Sequence, residues 1–338
     1  MEAARYSSLT AHIQSLLPQD IRPALTSSVL PTLVHCIDSI AESLRRSQKV
    51  SLVGTANAFG DDQLNVDVLA ERIIRDEIAK CPSIVTASSE EEPTEVSARE
   101  ASSRARDESQ SVEEYTLAFD PLDGSSIIAP NWTVGTIVGI WDGPSALHQP
   151  PRERQIAAVL GVYGPRITAI IAIRVPGATS TCFEVGLGAS GDNDAACEIV
   201  RNNIDFLEPP CKTRYFAPAN LRAAAEDDRY MQLVTHYIQE KYTLRYSGGL
   251  VPDVVHMLVK GHGVFVSPVT DASKAKLRKM YELAPIALIL ECAGASACDP
   301  VTGEDILEKP IEDCDERAGL LCGTAEEVAF VRQQFGLP

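Results

Sequence analysis

No apolar run in this 338-residue chain is long enough to cross a bilayer. The longest, Leu283 to Leu290, falls far short of the ~20 residues a spanning helix needs. The N-terminus, Met1-Glu2-Ala3-Ala4-Arg5, lacks the basic flank and apolar run of a signal peptide and the Arg-rich bias of a transit peptide, so the expectation is a cytoplasmic protein with no membrane partner. Cys-x-x-Cys spacing is missing and the nine cysteines are an odd number, which argues against a disulfide framework and a zinc module and leaves buried thiols. The six histidines share no metal-ligand spacing, so neither zinc nor a histidine nucleophile is expected. Positive charge is scarce: 30 Lys and Arg stand against 47 Asp and Glu, for a net charge of −17. With no basic patch, such a surface repels nucleic acid.

What is present reads as two lobes, 1–204 and 205–338, since a chain of this length exceeds one small core. Apolar residues at helical spacing predict amphipathic helices over Ser28 to Ser47 and Leu64 to Ile78. Tyr115 to Phe119, Val134 to Trp141, Ala157 to Tyr163 and Ile167 to Val175 read as buried strands of one large sheet. Glu92 to Glu114 reads as a mobile polar insertion, and Pro176 to Asn193 as turns. The second lobe reads as a helix at Asp227 to Lys241, a strand near Gly263 to Val266, a helix at Ala272 to Glu282 and an apolar segment at Ile286 to Cys292.

The segment that carries chemistry is Phe119-Asp120-Pro121-Leu122-Asp123-Gly124-Ser125-Ser126. A strand delivers Asp120, Pro121 turns the chain, and Asp123 follows beside the Leu122 carbonyl. Three hard oxygen donors then converge, a set suited to Mg²⁺ or Mn²⁺. Gly124, Ser125 and Ser126 open a helix whose free N–H groups suit a phosphate. Taken alone, Asp-x-x-Asp-Gly is more often a plain turn; here the strand before it and the double serine after it favour a site.

With Thr133 to Ile137 behind it, this segment resembles the signature of the fructose-1,6-bisphosphatase superfamily, to which the inositol monophosphatases belong more distantly. Gly54 to Asp67 and Ser89-Glu90-Glu91 extend the likeness to bisphosphatases, Tyr163 to Arg166, Asn220-Leu221-Arg222 and Tyr242 to Val254 are most similar to its sedoheptulose-bisphosphatase branch, and Lys274 to Arg278 and Tyr281-Glu282 complete the pattern. The resemblance implies a five-layer αβαβα fold with two sheets and metal-dependent hydrolysis of the 1-phosphate of a ketose bisphosphate, in a homodimer or homotetramer. It implies that Glu90, Asp120, the Leu122 carbonyl, Asp123 and Glu282 hold two or three Mg²⁺ or Mn²⁺ ions, with Asp61 completing a further position. Asp67 and Glu91 match the pair that activates the attacking water, and Asp123 is counted with them as catalytic. Gly124, Ser125 and Ser126 would hold the 1-phosphate. Asn220, Arg222, Tyr246, Gly248, Gly249 and Lys276 would hold the sugar and distal phosphate, and Arg245 would reach in from a neighbouring subunit.

The likeness has gaps. Ala129-Pro130 stand where bisphosphatases usually carry an Asp after the double serine, and Ser267 stands where fructose-specific enzymes present a Tyr to the distal phosphate. Plastid members carry a regulatory cysteine pair in the loop before the metal site; Val53 to Gly60 contains none. Sedoheptulose-1,7-bisphosphate is the expected substrate. The rival substrates are fructose-1,6-bisphosphate and a sugar phosphate of a dedicated pathway. A non-catalytic phosphate-binding regulator is the rival of another class, disfavoured because such a module has no use for Asp67 and Glu91.

Overall fold

The computed structural model describes residues 7–18, 21–56, 62–98, 113–188, 197–207 and 210–338. Its first part comprises α1 (Ser7–Leu16), a π-turn (Leu25–Val29) running into α2 (Leu30–Arg46), β1 (Leu52–Ala56), β2 (Asp62–Leu64), α3 (Asn65–Ile78), β3 (Ile84–Ser89), β4 (Val96–Ser97), β5 (Tyr115–Asp123), α4 (Ser125–Ile128), β6 (Val134–Asp142), α5 (Pro151–Arg154), β7 (Gln155–Tyr163), β8 (Ile167–Ile173), β9 (Thr181–Leu187) and β10 (Cys197–Arg201). There follow β11 (Tyr215–Pro218), a 3₁₀ turn (Leu221–Ala225), α6 (Asp228–Gln239), β12 (Thr243–Leu244), α7 (Leu250–Lys260), β13 (Val264–Ser267), β14 (Leu277–Arg278), a π-turn (Lys279–Leu283), α8 (Ala284–Cys292), β15 (Ser296–Cys298), β16 (Arg317–Ala318), β17 (Leu320–Gly323) and α9 (Ala325–Phe335).

Strand periodicity of two sorts the core into layers. Leu117, Phe119, Val138, Val159 and Ile171 face one side of an eight-stranded sheet, where Leu33, Ile37 and Ile74 of α2 and α3 cover them. Their neighbours Ala118, Ile137, Leu160 and Ile170 face the other side, against Val251 and Val254 of α7 and Ile286 to Leu290 of α8. Those two helices also meet Ala217, Phe265 and Leu320 of a five-stranded sheet. The outer face of that sheet, Phe216, Val264, Val266 and Leu321, packs on Tyr230 and Leu233 of α6 and Val331 of α9. The order is therefore helix, sheet, helix, sheet, helix. Because α8 is sandwiched, it is apolar on every side, and this explains a run of Ile and Leu with no amphipathic pattern.

The large sheet runs in the order β10-β9-β8-β7-β6-β5-β3-β4 and is antiparallel except where β3 pairs β5 in parallel. The smaller sheet runs β12-β11-β13-β17-β15. Among the described residues no helix is long and apolar enough to cross a membrane.

Three segments differ from the sequence expectation. Pro176 to Asn193, expected as turns, carries β9, paired along its length with β8. Its pattern was masked by Glu184, which is buried in mid-strand and ion-paired to Arg201 of β10. The expected helix at Ala272 to Glu282 does not form. Residues 271–276 are irregular, Leu277 and Arg278 pair with Ala318 and Arg317, and the chain then winds through the π-turn into α8. Backbone donors that a helix would use internally go elsewhere: Lys279 N donates to Glu316 O at 2.7 Å and Arg278 N to the Glu282 carboxylate at 2.5 Å. Within the expected mobile insertion, Val96 and Ser97 add an edge strand to β3, and Glu95 accepts bonds from Ser145 Oγ (2.7 Å) and Ala146 N (2.6 Å). Residues 99–112 lie outside the described residues.

One close approach fixes α7 against the large sheet. A Cβ on Gly135 of β6 would lie 2.4 Å from Val251 Cγ1 and 2.7 Å from the Gly161 carbonyl. Gly135→Ala should therefore cost about 1–3 kcal/mol through overpacking and lower the melting temperature. A melt unchanged from wild type would show that α7 does not pack as described.

Candidate metal and phosphate site

The parallel pairing of β3 and β5 brings two C-terminal strand ends together, so the residues that leave them emerge side by side. Glu90 N donates to the Phe119 carbonyl at 3.0 Å, which sets Glu90 next to Asp120. Asp120 lies within the fully buried run of β5, and its Oδ1 accepts from Leu122 N at 2.9 Å. Asp123 turns toward α7, whose free N-terminal donors it takes: Leu250 N at 3.2 Å and Val251 N at 2.7 Å. Glu282 arrives from the π-turn before α8. Carboxylate oxygens of Asp120, Asp123 and Glu282 all lie within 4.8 Å of one another, and all three residues are buried.

Such a cluster resists ionisation. Burial, and then repulsion from Glu90, Asp123 and Glu282, hold the Asp120 carboxyl well above its ordinary range. Glu282 is raised the same way, by burial and by Glu90. Asp123 is pushed up to about 7 by burial, against the pull of the two α7 donors. A divalent cation among hard oxygen donors would cancel this repulsion, so the donor set fits one. The Glu90 carboxylate is ion-paired to Arg278, which is buried and also faces Asp315 at 3.6 Å. A fixed cation thus already answers part of the negative charge.

Asp67 sits in the first turn of α3, where its Oδ2 accepts from Leu64 N at 3.0 Å. Its Oδ1 is buried without a hydrogen-bond partner among the described residues. Burial, followed by repulsion from Glu91 and Glu90, raises this carboxyl to about 7. Asp61 lies outside the described residues.

Beyond Asp123 the floor opens into a cleft of about 310 Å³. Gly124 turns the chain with φ +97°, a conformation that favours glycine. Ser125 and Ser126 are exposed on the single helical turn that follows, and Ser126 lines the cleft. Asn220, Arg222, Tyr246, Gly248, Gly249 and Lys276 line it too, so the structure gathers these expected substrate residues. Asn220 is held by its Nδ2 bond to the Pro268 carbonyl, 3.0 Å. Arg245 is not among the lining residues; its guanidinium lies over the Tyr215 ring, 5.7 Å from the centroid.

Sequence reasoning left three contributors unassigned. Lys274 lines the cleft together with Lys276, on a stretch that is irregular rather than helical. Asp253 shapes the loop at Ser247 and Gly248, accepting their N–H groups at 2.7 and 3.2 Å. Arg278 falls within the helix expected at Ala272 to Glu282 and was given no role; burial and its pairing to Glu90 place it at the site. For Asp253 a signal lay in the sequence that the expectation did not use: an acid shortly after the Gly248-Gly249 pair, where the structure starts α7.

Five layers in this order, with the carboxylate cluster at their centre, are the architecture of metal-dependent sugar phosphatases. The family descriptions "Fructose-1-6-bisphosphatase, N-terminal domain" and "C-terminal domain" match residues 14–189 and 210–335. The chloroplastic sedoheptulose-1,7-bisphosphatase of Chlamydomonas reinhardtii is 38% identical over 306 residues, 88% of this chain and 72% of that protein. The class 1 fructose-1,6-bisphosphatase of Syntrophotalea carbinolica is 34% identical over 306 residues, 88% of this chain and 87% of that protein. A Toxoplasma gondii crystal structure assigned as a sedoheptulose-1,7 bisphosphatase superposes with a TM-score of 0.80 at 32% identity, covering 97% of this chain and 98% of that one. Leishmania major fructose-1,6-bisphosphatase shares the fold, with a TM-score of 0.80 over 96% of this chain and 98% of that one at 24% identity. This chain belongs to the fructose-1,6-bisphosphatase family, whose members depend on metal ions.

The cluster makes the metal-free protein sensitive to pH. A folded carboxyl raised from 3.8 to about 7, as for Asp123, binds its proton more tightly than the unfolded chain does. Its contribution is full below about pH 4 and is lost as pH rises toward about 7. Asp120→Asn removes an acid that holds its proton in the fold and loses it on unfolding. In chelator the variant should melt higher than wild type, by a margin that widens with pH across that window, and it should gain little from Mg²⁺. A variant that melts lower in chelator, or gains as much from Mg²⁺ as wild type, would contradict the cluster's electrostatics.

Proposed function

We propose that this chain uses a divalent cation, Mg²⁺ or Mn²⁺ and two or three ions per site, to hydrolyse the 1-phosphate of a ketose bisphosphate, with sedoheptulose-1,7-bisphosphate accepted at least as well as fructose-1,6-bisphosphate. The observation that carries this reading is a cleft lined by groups of both signs: Asp123 of the buried carboxylate cluster together with Arg222, Lys274 and Lys276. A sugar carrying two phosphates suits that lining, its scissile phosphate drawn to cations held by the carboxylates and its distal phosphate to the basic side chains.

Bound cations would neutralise the developing charge on the transferring phosphoryl group and orient it for in-line attack. Glu90, Asp120, the Leu122 carbonyl, Asp123 and Glu282 are the residues we assign to hold them, and Asp61 by resemblance. Asp67 and Glu91 would take the proton of the attacking water. The unpartnered Oδ1 of Asp67 is a fit acceptor, since a carboxyl raised to about 7 titrates near neutrality. Water oxygen then bonds to phosphorus, the bond to the sugar oxygen breaks, and that oxygen gains a proton. The exposed N–H groups at Gly124, Ser125 and Ser126 would receive the 1-phosphate. Arg245, turned away from its own cleft, fits a homodimer or homotetramer in which it serves a neighbour.

Substrate length is decided at the distal wall. Ser267 lines the cleft where a Tyr would shorten it and offer a hydrogen bond to the nearer phosphate of a six-carbon sugar. A seven-carbon sugar sets its phosphate one carbon further out, toward Arg222. Phosphate release from both bisphosphates, with Mg²⁺ and with chelator, tests the proposal. Chelation should abolish turnover, and Ser267→Tyr should move the kcat/KM ratio toward fructose-1,6-bisphosphate by up to about tenfold, the scale of one hydrogen bond. Turnover that survives chelation would overturn the metal mechanism. A clear six-carbon preference in wild type, or no shift in the variant, would overturn the substrate assignment.

A further inference from the structure

Glu90 and Glu282 belong to segments remote in sequence that meet at the site, and each stands close to a buried hydroxyl. Ser88 lies two residues before Glu90 on β3, and Tyr281 immediately precedes Glu282 in the π-turn. Both residues are 0% exposed, and their hydroxyl oxygens are 2.7 Å apart. Hydroxyls buried in a core cost free energy unless they bond to one another, and Ala with Phe would pack there without that cost. Burial alone therefore gives no reason for this pair.

A second contact joins the same two segments, the ion pair of Arg278 with Glu90. It uses the carboxylate that a cation would also need, so ligation by Glu90 competes with it. The Ser88–Tyr281 bond uses neither acid and is compatible with both states. It opposes the repulsion between Glu90 and Glu282, which is the second-largest cause, after burial, of the raised Glu282 carboxyl.

We propose that the hydrogen bond between Ser88 and Tyr281 is a positioning clasp that sets the spacing of Glu90 and Glu282 for a divalent cation. The inference rests on the reading above, in which those two acids are ligands. A ligand pair held at the right spacing binds more tightly because less order remains to be imposed on binding. The clasp touches neither water nor phosphate, so it acts on metal affinity rather than on the chemical step.

The test uses Mn²⁺ alone, titrated through the electron paramagnetic resonance of the free ion, on wild type, Ser88→Ala, Tyr281→Phe and the double variant. Melting temperature in chelator and kcat at saturating Mn²⁺ accompany it. Each single variant should bind Mn²⁺ roughly tenfold more weakly, the low end of what contacts behind metal ligands contribute. The double variant should be no weaker than the weaker single one, because both remove the same bond. The kcat at saturating metal should stay within about twofold of wild type. Wild-type Mn²⁺ affinity in Ser88→Ala, even with a lowered melting temperature, would reduce the bond to a structural role and overturn the clasp. Additive losses in the double variant would overturn it as well. If Tyr281→Phe fails to fold, Ser88→Ala decides the question alone. Failure of wild type to bind Mn²⁺ would overturn the ligand assignment itself, a result distinct from wild-type binding that ignores Ser88.

Discussion

Carboxylates that repel one another in a dry interior are the constraint around which this molecule is arranged. Asp120, Asp123 and Glu282 are brought within 4.8 Å, with Glu90 close enough to raise all three. Unpaired buried charge is costly, and in isolation such a group neutralises itself by taking up a proton. The fold does not remove this cost. It shares it among a helix N-terminus at Asp123, a buried guanidinium at Glu90 and protons on the remaining acids, and leaves the rest for a cation to relieve.

The layers follow from the same need. A site of this kind must be held from several directions, and here it sits where the parallel ends of β3 and β5 meet the first turn of α3, the start of α7 and the π-turn before α8. The middle helices couple the two sheets, and the cleft is lined both by Asp123 of the carboxylate cluster and by the basic side chains of Arg222, Lys274 and Lys276. The large sheet alone would offer acids without the basic lining.

Much of this was legible in the chain. Helices α2 and α3 announce themselves through apolar periodicity, and strands β5 to β8 through β-branched and apolar runs bounded by turn residues, because the helices have one face in a core and the strands two. The Asp120 to Ser126 segment is legible because strand, turn and helix start succeed one another within a few residues. Two elements misled. In β9 a buried Glu184, paired to an arginine on the next strand, breaks the apolar run that identifies a buried strand. Over 272–282 the spacing looks helical, yet tertiary partners such as Glu316 claim the backbone donors. The role of Arg278 stays hidden for that reason: the expected helix does not bring it to Glu90, whereas the short strand Leu277–Arg278 does. Contacts between residues nearly two hundred positions apart leave no local pattern to read.

The central claim is that the metal-free cluster holds protons which a divalent cation displaces. Calorimetric titration of Mg²⁺ near pH 7, in buffers of different ionisation enthalpy, counts those protons directly. The account predicts net release of at least about one proton per chain on binding, since Asp120 and Glu282 are held well above their ordinary range and Asp123 at about 7. Tight Mg²⁺ binding with no dependence of its heat on the buffer would contradict it, for the cluster would then have been fully ionised before any cation arrived.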